Sequence, residues 1–473
     1  MKKILSLVIP VLAFFCLLNV PAEWFHMPGL TVVEQRLIAI FFLAALCWIL
    51  EPIPIFATSV LVIVLELLLL SNKGLIFLRG AAGDPAFGKV LTYQSIMATF
   101  ASPIIMLFMG GFFLAMAATK YRLDINLARV LLKPFGSRPH MVMLGLLLIT
   151  AIFSMFMSNT ATAAMMLAIL APVLSVLPEG DRGRTAFVLA IPVGANIGGM
   201  ATPIGTPPNA IALKYILDIQ PISFGQWMLF GVPYVIVLLF IAWVLLAWLF
   251  PSKEKSVRLS ITGEFQRGWR ANLVYITFGL TVLLWMFGGL HGMNSEVVAM
   301  IPVAVFVCTG IVTKKELKEI SWDVLWLVAG GLALGLALEK TGLAARMVAS
   351  IPFATFAPVM VLVVASVVTL LMANFMSHTA TANLLLPIMA VLAAGLSGLD
   401  SMGGPLGLIL GVTFAASLGM TLPISTPPNA LASSTGMVET PDMGKVGVVI
   451  GIVGVLLTMV MLWIIAGTGI LKP

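Results

Sequence analysis

The sequence predicts an all-α integral membrane protein of about eleven transmembrane helices and two re-entrant hairpins, arranged as inverted repeats. Three observations predict it: hydropathy far above that of soluble chains, apolar runs of bilayer length from end to end, and one set of polar motifs that occurs twice. Of 473 residues, 60% are hydrophobic and 10% charged, with a mean hydropathy of +1.11. Such a chain cannot cover a water-exposed surface.

A helix needs about 20 apolar residues to cross roughly 30 Å of hydrocarbon. Apolar runs fall near 4–21, 34–51, 54–72, 94–119, 141–178, 186–217, 228–250, 272–290, 296–313, 323–341, 357–396, 406–437 and 446–470. The first follows Met1-Lys2-Lys3 and is read as a transmembrane helix within 1–30. It is longer than a signal-peptide core, and no small-x-small cleavage site follows it. A first repeat then spans 31–250, a basic cytoplasmic loop 251–271, and a second repeat 272–473. Pro251 to Arg270 reads as a connection with a surface helix, too short for a core of its own. Cys16, Cys47 and Cys308 lie in apolar runs, which argues against a metal cluster or disulfide framework. The net charge of +7 reports topology in such a chain, and no nucleic-acid partner is expected.

Two runs are too long for one crossing, and each has a polar break at its middle. The run 141–178 holds Ser158-Asn159-Thr160, and 357–396 holds Ser377-His378-Thr379. A central break suggests a hairpin that enters the membrane, turns and leaves on the same side. Self-comparison extends the match. Met157 to Ala163 aligns with Met376 to Ala382 at an offset of 219 residues, and Thr206-Pro-Pro-Asn-Ala210 with Thr426-Pro-Pro-Asn-Ala430 at 220. Gly110-Gly111 and Lys120 align with Gly330-Gly331 and Lys340, also at 220. Each half therefore reads as a Gly-Gly helix, a hairpin, and a helix opened by Thr-Pro-Pro-Asn at 186–217 or 406–437. With the N-terminus inside and both hairpins re-entrant, 18 of the 26 Lys and Arg fall on the cytoplasmic side. The hairpins then enter from opposite sides, the first from the cytoplasm, and the C-terminus lies outside.

The tips offer hydroxyls, an amide or imidazole, and backbone groups freed from helical bonding, at a depth where unsatisfied polar groups cost several kcal/mol. A lone Ser-x-Thr in a membrane helix usually bonds its own preceding carbonyls. Two copies, each followed by a Pro-Pro-Asn break, point instead to a binding site. Pro207-Pro208 and Pro427-Pro428 remove N–H donors and force the preceding residue out of helical geometry. Neither tip nor break contains Arg, Lys, Asp or Glu. An anion there would be held by hydroxyls, amides and helix N-termini, while freed carbonyls with Ser and Asn oxygens suit Na⁺. No acid–base pair or metal-ligand set marks an enzyme. Glu66 is the one carboxylate deep in a predicted span, and nothing partners it by spacing.

The paired motifs resemble the divalent anion:sodium symporter family of dicarboxylate and citrate carriers, over nearly the whole chain. The resemblance implies a homodimer in the cell (inner) membrane that moves its substrate by an elevator motion. The expected cargo is one C4 dicarboxylate (succinate, fumarate or malate) with Na⁺, and no prosthetic group. It implies that Asn159 and Thr160 contact one carboxylate, and His378, Thr379, Thr426 and Pro427 the other, with Ser158, Ser377, Thr206 and Pro207 beside them. A first Na⁺ would draw on Ser154, Ser158, Asn159 and the Gly205 backbone; a second on His378 and the backbones of Met376 and Ser425. The repeats differ at that second site. Asn159 corresponds to His378 and Ser154 to Ala373, each change removing a side-chain oxygen, although Asn374 is near. A protonated imidazole would replace the second Na⁺, or a permanent substitution would suit an exchanger. Exchange, proton-influenced transport, and sulfate or citrate as cargo are the alternatives.

Overall fold

The computed structural model describes residues 2–80, 84–178, 180–257, 265–350, 357–396 and 398–469. Its named helices of eight or more residues begin with α1 (Lys2–Asn19), α2 (Val32–Leu50) and α3 (Ile55–Leu69). The first repeat continues through α4 (Pro103–Lys120), α5 (Leu123–Leu132), α6 (Pro139–Ser154), α7 (Asn159–Val176), α8 (Gly183–Gly199), α9 (Pro207–Ile219) and α10 (Phe224–Leu249). The second repeat runs through α11 (Trp269–Met286), α12 (Ser295–Cys308), α13 (Trp322–Thr341), α14 (Leu343–Ser350) and α15 (Pro358–Phe375). It ends with α16 (His378–Gly395), α17 (Gly404–Ser417), α18 (Pro427–Ser434) and α19 (Thr440–Thr468). Among the described residues, eight helices are long and apolar enough to cross a bilayer, and six shorter apolar helices accompany them. The described part of 251–268 is not helical; 258–264, where the expected surface helix would continue, lies outside the described residues.

Local chemistry sets the boundaries. Proline stands at the first turn of α4, α6, α9, α15 and α18, where its missing N–H costs nothing. Thr31 with Glu34 and Ser223 with Gln226 close capping boxes on α2 and α10. Both long apolar runs break where the polar tips stand, between Ser154 and Asn159 and between Phe375 and His378. Both Thr-Pro-Pro-Asn helices open, between Gly199 and Pro207 and between Ser417 and Pro427.

The repeats interlock. α4 packs on α12, and α13 on α3, so each Gly-Gly helix lies against the other half of the chain. A Cβ on Gly110 would fall 2.3 Å from Ala299 O, and one on Gly330 2.7 Å from Ser59 Cα, so both crossings need glycine. α9 lies on α16 and α18 on α7, so each Thr-Pro-Pro-Asn half-helix packs against the opposite repeat's hairpin. Polar contacts tie the segments together at either end of the bundle. Lys120 reaches Glu316 at 2.6 Å, Arg182 reaches Asp442 at 3.8 Å, and Thr185 donates to Met437 O at 3.0 Å. All of these join segments counted as cytoplasmic. Arg346 donates to Glu34 and to Pro28 O, joining segments counted as outside.

Candidate functional site

The crossed packing brings the four broken segments to one place. A cavity of about 700 Å³ is lined by Ser158, Asn159 and Thr160 from the first tip and by Ser377, His378 and Thr379 from the second. Thr206 and Pro207, with Thr426 and Pro427, complete its floor, so every expected substrate residue faces one space. Gly205 and Ser425 also line it. Ser154 and Met376 lie behind it, buried.

The Asn of each Thr-Pro-Pro-Asn motif explains how the openings are held. Asn209 Nδ2 donates to Thr202 O at 2.8 Å and Gly199 O at 3.2 Å. Asn429 Nδ2 donates to Met420 O at 2.9 Å and Leu422 O at 3.1 Å. Each amide thus satisfies carbonyls that the broken helix releases. The hydroxyls of Ser158 and Ser377 cap the second arms, accepting from Ala161 N at 3.2 Å and Ala380 N at 3.1 Å. Both tips therefore point helix N-termini at the cavity, where partial positive charge favours an anion.

Behind the first tip lies a ring of oxygens. Asn159 Oδ1 lies 2.6 Å from Ser154 Oγ, and Gly205 O and Ala195 O stand 3.0 and 3.3 Å from the same atom. The hydroxyl can donate, but the two carbonyls cannot. Two arrangements reconcile them: the amide turns over so that its NH₂, with two hydrogens, faces the three oxygens, or a cation sits among the oxygens. The pocket is tight. A Cβ on Gly199 would fall 2.7 Å from Asn159 Oδ1 and 2.7 Å from Gly205 O.

The corresponding space in the second repeat is filled differently. His378 is buried, and its Nε2 lies 2.6 Å from Gly419 O, the counterpart of Gly199 O. A carbonyl has no proton to give, so Nε2 carries the hydrogen. Ala373 closes on Gly419, where an added Cβ would be 2.6 Å from the alanine's own. Asn374 is already engaged, accepting from Thr421 N at 2.8 Å and donating to Leu370 O at 2.8 Å. The Ser425 hydroxyl bonds Leu422 O within its own turn.

Two lining residues escaped sequence reading. Asn196 Nδ2 donates to Thr426 Oγ1 and Asn429 Oδ1, both at 3.2 Å, tying α8 to the opposite repeat's opening. Its partner at the repeat offset is Ala416, so self-comparison could not flag it. Asp323, in the first turn of α13, puts a carboxylate on the cavity wall. Its only sequence signal was an acidic residue opening an apolar run.

A family model described as citrate transporter matches residues 45–410. The chain belongs to the citrate transporter family. It is a multi-pass membrane transporter, not an enzyme, and the resemblance to divalent anion:sodium symporters holds. It is 29% identical over 464 residues to the sodium-dependent dicarboxylate transporter SdcS of Staphylococcus saprophyticus, covering 90% of this chain and 85% of that one. An uncharacterized transporter of Haemophilus influenzae is 32% identical over 481 residues, covering 97% and 96%. Solved structures share the fold at low identity. The YdaH transporter of Alcanivorax borkumensis superposes with a TM-score of 0.53 at 15% identity, over 88% of this chain and 98% of that one. MtrF of Neisseria gonorrhoeae gives 0.52 at 11%, over 86% and 94%. Its two halves differ: Ser154 Oγ, Gly205 O and Ala195 O face the Asn159 amide behind one tip, and an imidazole on Gly419 O stands behind the other.

Proposed function

We propose that this protein carries a C4 dicarboxylate such as succinate, fumarate or malate across the cell membrane in symport with Na⁺. One observation carries the reading: Ser154 Oγ, Gly205 O and Ala195 O converge on the Asn159 amide directly behind a tip whose N–H groups and hydroxyls face the cavity. Na⁺ takes such neutral oxygen ligands. With Na⁺ bound, Asn159 turns its oxygen inward and its NH₂ toward the anion. Without Na⁺ the NH₂ turns inward to the ring, and the anion loses a donor. The amide thereby couples cation to substrate.

Each carboxylate is met by one tip, Ser158 to Thr160 or Ser377 to Thr379, with Thr206, Pro207, Thr426 and Pro427 beside them. The cavity is also walled by Ile55, Phe56 and Asp323, at ends of α3 and α13 that the charge count assigns to the cytoplasm. This conformation therefore faces inward. An elevator motion of both hairpins and both broken helices against α3, α4, α12 and α13, within a homodimer, brings the site to the outer face.

A second reading has its own observation. His378 occupies the place of a second cation on Gly419 O, which favours exchange of one dicarboxylate for another with a reduced Na⁺ requirement. The test is labelled succinate flux into proteoliposomes under an inward Na⁺ gradient, against counterflow with internal succinate and competition by citrate and sulfate. Flux that follows the Na⁺ gradient supports symport. Counterflow indifferent to Na⁺ supports exchange, and absence of both overturns the dicarboxylate assignment.

A further inference from the structure

Glu66 on α3 is fully buried, and neither carboxyl oxygen has a hydrogen-bond partner among the described residues. An ionised carboxylate so placed forfeits its hydration with nothing in contact to offset it. Intramembrane carboxylates are rare and mark proton or ion sites by default. The substrate cavity does not include it.

A cation faces Glu66 without touching it. The charge acting on Glu66 is Lys214 of α9, and Lys214 in turn feels Asp218, Glu339 and Lys340. Lys214 Nζ donates to Leu332 O of α13 at 3.0 Å. The fit there is made for it. A Cβ on Gly335 would lie 2.7 Å from Lys214 Nζ and 2.5 Å from the Tyr215 hydroxyl, itself buried with no hydrogen-bond partner among the described residues. Among the described residues, the other helices packed on α3 offer no free charge at this point. Arg36 of α2 is held by Leu69 O and Leu78 O at 3.0 and 2.8 Å, and Glu34 by Arg346. The short helix Tyr93–Ala98 brings only the Tyr93 phenol, and Asp323 stands at the opposite end of α13.

The remaining charges lead outward. Lys214 is half-buried and Asp218 exposed, while Glu339 and Lys340, paired at 2.6 Å, are 54% and 59% exposed. By these interactions Asp218, Glu339 and Lys340 act on Lys214, and Lys214 on Glu66, in a row that leads outward to water.

We propose that Glu66 is a proton-binding site with Lys214 as its counter-charge. While Lys214 is held on Leu332 O, the carboxyl carries a proton taken from water at the Asp218–Glu339 end and passed on by exchange at the Lys214 ammonium, which gives up one proton as it takes another. When Lys214 swings from α13 to α3, the proton returns to water by that row and the carboxylate pairs with the ammonium, which stays protonated throughout. Because Lys214 rides on the Thr-Pro-Pro-Asn half-helix α9, proton occupancy tracks that helix's position. This coupling rests on the proposed transport function; occupancy by a proton does not.

Infrared titration of the purified full chain in lipid reads the site whatever it carries. The wild type minus Glu66→Gln difference should show a protonated-carboxyl band at neutral pH, lost on alkalinisation. Lys214→Met removes a positive charge that favours the carboxylate, so the band should persist to a pH higher by about one unit or more. Glu66→Asp, which keeps the carboxyl, should retain a displaced band and covers the case of a poorly folded Gln variant. In proteoliposomes, Glu66→Gln should flatten the pH dependence of flux. A wild type lacking any carboxyl band that Glu66→Gln removes overturns the proposal. Absence of flux with the band present would instead overturn the transport reading alone.

Discussion

His378 Nε2 meets Gly419 O at 2.6 Å, in the place where the first repeat sets Asn159 beside Gly199. The imidazole N–H gives that freed carbonyl what a cation would give in the first repeat. Replacing His378 with Asn restores the side-chain oxygen of the opposite tip. Dicarboxylate uptake by His378→Asn should depend more steeply on Na⁺ than wild-type uptake, and more labelled Na⁺ should enter per substrate. An unchanged Na⁺ profile would make the imidazole a structural hydrogen-bonding group only.

The first oxygen ring makes the complementary prediction. A Cβ on Gly199 would press to 2.7 Å on both Asn159 Oδ1 and Gly205 O, inside the space a Na⁺ needs. Gly199→Ala should weaken Na⁺ activation of uptake at least tenfold, about 1.4 kcal/mol. Gly289→Ala, where an added Cβ meets nothing within 4 Å, is the control and should leave the Na⁺ titration unchanged. Equal effects from both glycines would disconnect the ring from coupling.

Much of this arrangement was legible because its causes are local. Pro207-Pro208 and Pro427-Pro428 must open a helix wherever they stand, and a polar tip amid forty apolar residues must be a break. The chain's duplication then showed which breaks belong together. Asn196, Asp323 and Lys214 stayed hidden because their roles depend on interlocked repeats. Asn196 reaches Thr426 across 230 positions, and Lys214 reaches Leu332 across 118. Neither spacing is written in any single helix. The change from Asn159 to His378 was legible as a difference between repeats, but not the imidazole's bond to Gly419.

Glu316 gives a pH test outside the bilayer. The Lys120 ammonium, followed by the Thr313 hydroxyl and N–H, holds its carboxyl below the usual 4.5, at about 2. A depressed carboxyl stabilises the fold above its unfolded pKa, and that contribution is lost as pH falls from about 4.5 through about 2. Glu316→Gln should therefore destabilise the fold slightly near neutral pH, by under about 1 kcal/mol for an ion pair at the surface, read as a small fall in melting temperature. The difference from wild type should vanish near pH 2. A deficit that persists in acid would assign the loss to the capping box with Thr313 instead.

The Glu34–Arg346 pair differs because its carboxylate is buried. Glu34 is 1% exposed, and Arg346 Nε donates to both its oxygens at 3.0 Å while Nη1 reaches Pro28 O at 2.6 Å. Removing the cation alone strands a charge, which costs about 3–5 kcal/mol when a pair is fully buried. Arg346 keeps 27% of its side-chain exposure, so the lower end applies. Arg346→Met should thus destabilise the protein clearly in thermal unfolding, and adding Glu34→Gln should recover part of the loss. The rescue separates a stranded charge from lost packing. If the double variant is no more stable than Arg346→Met, the guanidinium's contribution lies in packing α14 and holding Pro28 O rather than in neutralising Glu34.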